Sequence, residues 1–293
     1  MPPPPAKPRV TRLLRDLEQM ASLDPPAKAV GKYVRSLLGR GAVKDALSGT
    51  WLGHALHPVL TDVPIGTWTS ATILDVAGGK DAGPAADRLI AIGVAAAIPT
   101  AVSGWSDWAD SESASDSVRR IGMVHAASNV AALSLYAASL VARARGRRRR
   151  GVALGLAGAG ALATGGVLGG DLAYAKGVGV DQAAFTHPIE DWTAVATTGE
   201  VREGSPRRAE ADGEALVLVR RAGHVHALVD RCVHRGGSLH EGELVDGCIE
   251  CPLHGSRFRL EDGSVERGPA AYPQPVFEVR EIEDRVEVRS PVA

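Results

Sequence analysis

Cysteine is scarce, three in 293 residues. With two of them taken as ligands below, no intramolecular disulfide is left to form. No Cys-x-x-Cys-His occurs, which excludes covalently attached c-type haem. Net charge is nearly absent too, −1 from 33 basic and 34 acidic residues. There is no obvious basic binding face, so nucleic acid is not expected as a partner. Residues 1–8 are a proline run without an apolar core, read as a disordered tail and not as a cleavable signal peptide.

What the chain does have is a pair of short motifs near its end. Cys232-Val233-His234 and Cys251-Pro252-Leu253-His254 each supply one sulfur and one nitrogen. Four such donors can close around one tetrahedral zinc or divide between two irons. Gly236, Gly237 and Ser238 follow the first pair, Gly255 and Ser256 the second, and Gly268-Pro269-Ala270 comes later. Small residues beside both pairs let backbone N–H groups approach a buried anion, as bridging sulfides require and a lone zinc does less.

With these features residues 192–289 resemble the Rieske [2Fe–2S] domain. The resemblance implies Cys232 and Cys251 on one iron and His234 and His254 on the other. It also implies surrounding roles for Ser256, Gly237 and Pro269. In the high-potential type each ligand loop carries a further cysteine, and a Ser and a Tyr donate hydrogen bonds to sulfur. Here Gly237 and Leu253 stand at the disulfide positions, Ser256 keeps the hydroxyl, and Phe258 replaces the Tyr. The implied centre is ferredoxin-type, of lower potential for want of one donor. Cys248 reads as a buried strand residue, His240 as a loop-surface residue, and His224 and His226 as exposed strand or turn positions.

Upstream, apolar spacing predicts amphipathic helices over 10–21 and 27–47, the second interrupted at Gly39 and Gly41. Lys28, Lys32, Arg35, Arg40 and Lys44 suit a membrane surface. Four Ala/Gly/Val/Leu-rich blocks follow, at 58–77, 86–105, 121–141 and 151–172, each near the roughly 20 residues of a spanning helix. The soluble alternative is an Ala-rich bundle. Gly151/Gly155, Gly165/Gly169 and Gly166/Gly170 are pairs that let spanning helices approach. Trp51, Trp68, Trp105, Trp108 and Tyr136 include several expected at the interface.

Gly53-His54-Ala55-Leu56-His57-Pro58, Asp62-Val63-Pro64-Ile65-Gly66 and His125-x-x-x-Asn129 make residues 51–180 similar to the membrane family called domain of unknown function 2231. No activity comes with that likeness. His54 and His57 are expected on one helical face, with His125 near the start of the third span. These three form a speculative haem b or proton site, or else hydrogen-bond within the bundle as packing residues.

Arg143, Arg145 and Arg147 to Arg150 lie between the last two blocks, and Asp107, Asp110, Glu112 and Asp116 lie between the second and third. The positive-inside rule then puts the arginines in the cytoplasm and both termini outside. The arginines before an Ala/Gly-rich block also look like a twin-arginine export signal. Against this, the basic N-terminus prefers the inside, and a domain without a disulfide suits a reducing cytoplasm.

The expected architecture is a tail with amphipathic helices (1–50), a four-helix transmembrane bundle (51–176), a linker (177–190) and an all-β Rieske-type domain (191–293). Strands are expected at 215–221, 226–229, 276–280 and 286–289. The expected function is a one-electron carrier in a bacterial plasma membrane, with a redox protein or quinol as partner. Alternatives are a redox sensor, a component of a Rieske oxygenase system, or a zinc-binding structural domain. An oxygenase itself would need a second iron on two His and a carboxylate, and no such triad is offered after His254.

Overall fold

The computed structural model describes residues 9–291, so the expected proline tail lies outside the described residues. Contacts divide the chain into two compact units. One runs to Leu38 and resumes over Leu56–Val178, and the other joins Gly39–Ala55 to the chain from Gly179 onward.

The helices are α1 (Arg9–Glu18), α2 (Asp24–Leu38), α3 (Ala42–Ser48), α4 (Leu56–Ala77), α5 (Gly83–Ser111), α6 (Asp116–Ala144) and α7 (Arg148–Gly170). All but α3 belong to the first unit. The helix expected over 27–47 is interrupted where expected, because Gly39 and Gly41 take φ of 57° and 116°, left-handed conformations that end α2 before α3 begins.

Gly83–Ser111, Asp116–Ala144 and Arg148–Ala175 are long and apolar enough to cross a membrane. The 22-residue α4 is not among them, since Asp62, Asp75 and five Ser and Thr residues dilute it. Trp68 stacks on Tyr136 with ring centroids 4.3 Å apart, and both are buried. These two rings are therefore core residues and not interfacial ones, as is the buried Trp108, whereas Trp51 and Trp105 are exposed.

Three glycines of α7 that face α6 leave little or no room for a side chain, whereas Gly155 would meet Arg143 and Ser139 at an ordinary 3.6 Å. A Cβ on Gly151 would lie 2.5 Å from Arg143 Cγ, on Gly158 3.0 Å from Tyr136, and on Gly165 2.7 Å from Asn129. Gly166 has open space instead, so the Gly166/Gly170 pair does not serve this contact. Nor is Arg143 a loop residue. It ends α6, buried, and its guanidinium bonds Asp75 and, at 2.9 Å, Asp87. Arg148 bonds the same two carboxylates. Two residues of the acidic stretch are likewise paired, Glu112 with Arg35 and Arg119 and Asp116 with Arg119 and Arg120.

The second unit carries two antiparallel sheets. Six strands, β1 (Thr193–Thr197), β2 (Arg207–Ala211), β3 (Glu214–Arg221), β4 (His224–Val229), β9 (Val276–Ile282) and β10 (Arg285–Arg289), lie in the order β1-β10-β9-β4-β3-β2. Four short ones, β5 (Glu243–Val245), β6 (Cys248–Glu250), β7 (Arg257–Arg259) and β8 (Val265–Arg267), pair in sequence order. Apolar residues of both sheets share one core with Cys232, Val233, Cys251, Phe258 and Ala270, and in β3 four successive residues, Leu216 to Val219, are buried. Burying that core is the main stabilising term, and it fixes three loops around the β6–β7 hairpin.

Candidate metal centre

The first ligand loop leaves β4 and the second joins β6 to β7, and the two have the same hydrogen-bond pattern. Cys232 N–H donates to Gly237 O at 2.9 Å, and Gly236 N–H returns to Cys232 O at 2.8 Å. Cys251 N–H donates to Ser256 O at 2.8 Å, and Gly255 N–H returns to Cys251 O at 2.9 Å. Each turn needs left-handed backbone at its glycine, φ 73° at Gly236 and 82° at Gly255.

The turns point N–H groups at the sulfurs. Those of His234 and Arg235 bond Cys232, and those of Leu253 and His254 bond Cys251. Cys232 and Cys251, 1% and 2% exposed, also bond each other through their side chains. That bond draws the Cys251 thiol down to about 7, helped by its N–H donors, while the same bond and burial push Cys232 up. A protein that holds thiolate sulfur ready in this way favours a metal with sulfur ligands.

His234 and His254 face each other edge to face, with centroids 5.0 Å apart. Burial first, then the charges of Arg235, His254 and Lys44, hold His234 well below the ordinary imidazole range. It is neutral at pH 7, the form that binds metal. The donors thus come as a sulfur pair and a nitrogen pair. Among the described residues, no three His, Cys, Asp or Glu side chains converge as a single ion would require.

The surroundings fit a bulky anionic group. A Cβ on Gly237 would lie 2.9 Å from Cys251 Sγ and 3.0 Å from Leu253 Cβ, so Gly237 and Leu253 do oppose each other across the two loops. Ser256, fully buried, accepts Ala270 N–H at 3.0 Å, which leaves its own O–H to donate. Pro269 is buried in the same third loop.

Residues 191–278 match the Rieske [2Fe-2S] domain model, and residues 53–182 match the family described as a predicted membrane protein, DUF2231. Ferredoxin CarAc of Metapseudomonas resinovorans is 37% identical over 98 residues, covering 33% of this chain and 92% of the relative. The chain belongs to the Rieske [2Fe-2S] family. The anthranilate 1,2-dioxygenase ferredoxin subunit of Burkholderia cepacia is 29% identical over 34% of this chain and 93% of its own length. The biphenyl 2,3-dioxygenase ferredoxin component of Rhodococcus jostii (strain RHA1) is 31% identical over 30% and 82%. A Rieske domain, homologous to these electron-carrying ferredoxin components, is thus joined to a membrane-family domain, and the Rieske domain implies a [2Fe–2S] cluster.

Two parts of the Rieske centre escape a reading of spacing. The buried Gln274 accepts Val233 N–H at 3.0 Å and donates to Val229 O and Arg231 O, bracing the first loop. His240 is half-buried rather than on the loop surface, its Nδ1 2.8 Å from the buried Asp230. Only its place two residues before Cys232 marks Asp230 in the sequence.

The bundle histidines do not share a face as expected. Helix α4 starts at Leu56, with Pro58 in its first turn where proline is tolerated. His54 therefore precedes the helix and lies in the Rieske unit, with Tyr272 as its ring neighbour. His57 Nδ1 meets Thr100 O at 3.0 Å, and His125 Nδ1 meets Gly165 O at 2.9 Å. Both imidazoles pack on glycine, His57 on Gly104 and His125 on Gly169. These are helix-packing contacts.

Proposed function

We propose that the chain is a membrane-held one-electron carrier whose cluster is bound by Cys232 and Cys251 on one iron and His234 and His254 on the other. The observation that carries this is the pair of mirrored loops, which set two buried sulfurs together and two imidazoles together. When bound, the cluster takes up and gives off one electron. The N–H groups of His234, Arg235, Leu253 and His254 stabilise negative charge on the sulfurs, and the Ser256 hydroxyl supplies a further donor. Leu253, 52% exposed between the two ligands Cys251 and His254, offers a partner an apolar contact beside the imidazole.

The partner we propose is a redox protein of the kind named with the relatives, an oxygenase component. Electron paramagnetic resonance of the dithionite-reduced, detergent-purified protein tests the centre. An average g below two is expected, and a colourless, silent protein holding stoichiometric zinc would overturn the reading. Rapid reduction by quinol would redirect the partner.

For the membrane domain we propose four spans, α4 to α7. Gly39–Ala55 and the chain from Gly179 onward form one compact unit, so they share one side of the membrane. That grouping supports an even number of crossings between them. Three qualifying helices then need a fourth, and α4, about 33 Å long at 1.5 Å per residue, is long enough. Arg145, Arg147, Arg149 and Arg150 stay exposed at the α6–α7 turn, which favours a cytoplasmic turn and an extracytoplasmic Rieske domain.

A further inference from the structure

The β chain does not supply every residue beside the ligand loops. Gly39–Ala55 belongs to the same unit, and its side chains fill space beside two loops of the centre. Thr50 Oγ1 donates to Ala270 O at 2.9 Å. A Cβ on Gly268 would lie 2.3 Å from that hydroxyl and 2.8 Å from Asp45 Oδ1. Arg40 pairs with Glu250 at 3.5 Å, and a Cβ on Gly255 would lie 3.1 Å from its guanidinium. The N-terminal segment and the glycines of the second and third loops are fitted to one another.

Its charges matter as well as its shape. Lys44 is 5% exposed and acts electrostatically on His234, as Arg40 does on Cys251. A buried ammonium is costly unless negative charge lies near it. Asp45 supplies one such charge from the same helix, and a cluster with two thiolates supplies more, most of all when reduced. Thr50 adds a mechanical link, since Ala270, whose carbonyl it bonds, donates its N–H to Ser256 Oγ.

We propose that Gly39–Ala55 is a built-in strap that raises the reduction potential of the centre, with Arg40 and Lys44 stabilising the reduced state and Thr50 positioning the Ser256 hydroxyl. This rests on the Rieske assignment above. The experiment is a redox titration of the full-length protein followed by its resonance signal, for wild type, Arg40→Gln, Lys44→Gln, Arg40→Lys and Lys44→Arg. Each charge-removing variant should lower the equilibrium constant for reduction by about three- to tenfold, the order expected for removing one nearby unit charge at intermediate dielectric. Tenfold corresponds to 59 mV for one electron. The two charge-preserving variants should keep the wild-type midpoint. Unchanged midpoints in Arg40→Gln and Lys44→Gln, with intact signals, would overturn the strap. Should Lys44→Gln fail to assemble, the exposed Arg40 decides alone. A wild type without the signal would fail the Rieske assignment itself.

Discussion

Cys232 and Cys251 are each met by two backbone N–H groups and by each other, an arrangement that draws the Cys251 thiol down while Cys232, more deeply buried, is pushed up. Cys251→Ala or His254→Ala should abolish cluster assembly, seen as loss of visible absorption and of the reduced resonance signal. Phe258 is fully buried in the core that holds both ligand cysteines. Phe258→Tyr should raise the midpoint in a redox titration if the new hydroxyl reaches sulfur, and an unchanged midpoint would show that it does not. The four candidate ligands were legible because their spacing reflects local turns, Cys to His within two or three residues. Gln274 and Asp230 were not, because their roles depend on the tertiary closure of β4 against the loop before β9.

At the scale of elements, Glu250 ends β6 and gathers cations from separate pieces of chain. It meets Arg257 at 2.8 Å, Arg267 at 3.0 Å and Arg40 at 3.5 Å. Burial alone would raise its carboxyl, but the Arg257 hydrogen bond and the charges of Arg267 and Arg257 hold it below the usual range. A depressed carboxylate stabilises the fold above its unfolded value, and that contribution is lost as pH falls through the folded value. Glu250→Gln should therefore cost about 1 kcal/mol near pH 7, and the difference in Tm from wild type should shrink below about pH 4.5. Arg267 also donates to Gly255 O, at 2.6 Å through Nη2, so this network braces the second ligand turn. In the bundle, Arg143→Ala would leave Asp75 buried with only the exposed Arg148 beside it. A loss on the order of 3 kcal/mol is expected, read by thermal unfolding in detergent with the cluster spectrum unchanged. Strands β3, β4, β9 and β10 and the three apolar helices α5 to α7 followed from composition. The pairing of Arg143 did not, since a guanidinium within a run of arginines looks like loop charge until its carboxylates are brought to it.

For the molecule as a whole, the even number of crossings is the claim most open to test. Single cysteines placed at Ala46 and at Glu210, both exposed, in a background lacking Cys248, should label from the same side of intact membranes. One placed at Arg149 should label from the other. Labelling of Ala46 and Glu210 from opposite sides would remove the four-span arrangement. The sequence showed two domains in series, because composition changes along the chain. It did not show that the second unit also takes in Gly39–Ala55, since the short run around α3 reads as one more amphipathic helix. That grouping also orders events in biosynthesis. The early segment emerges from the ribosome before α4 to α7, yet its neighbours at Gly255, Gly268 and Ala270 are made only after all of those helices. Its partners therefore reach it only once the whole helical region has been synthesised, so the loops around the candidate ligands take their final form late.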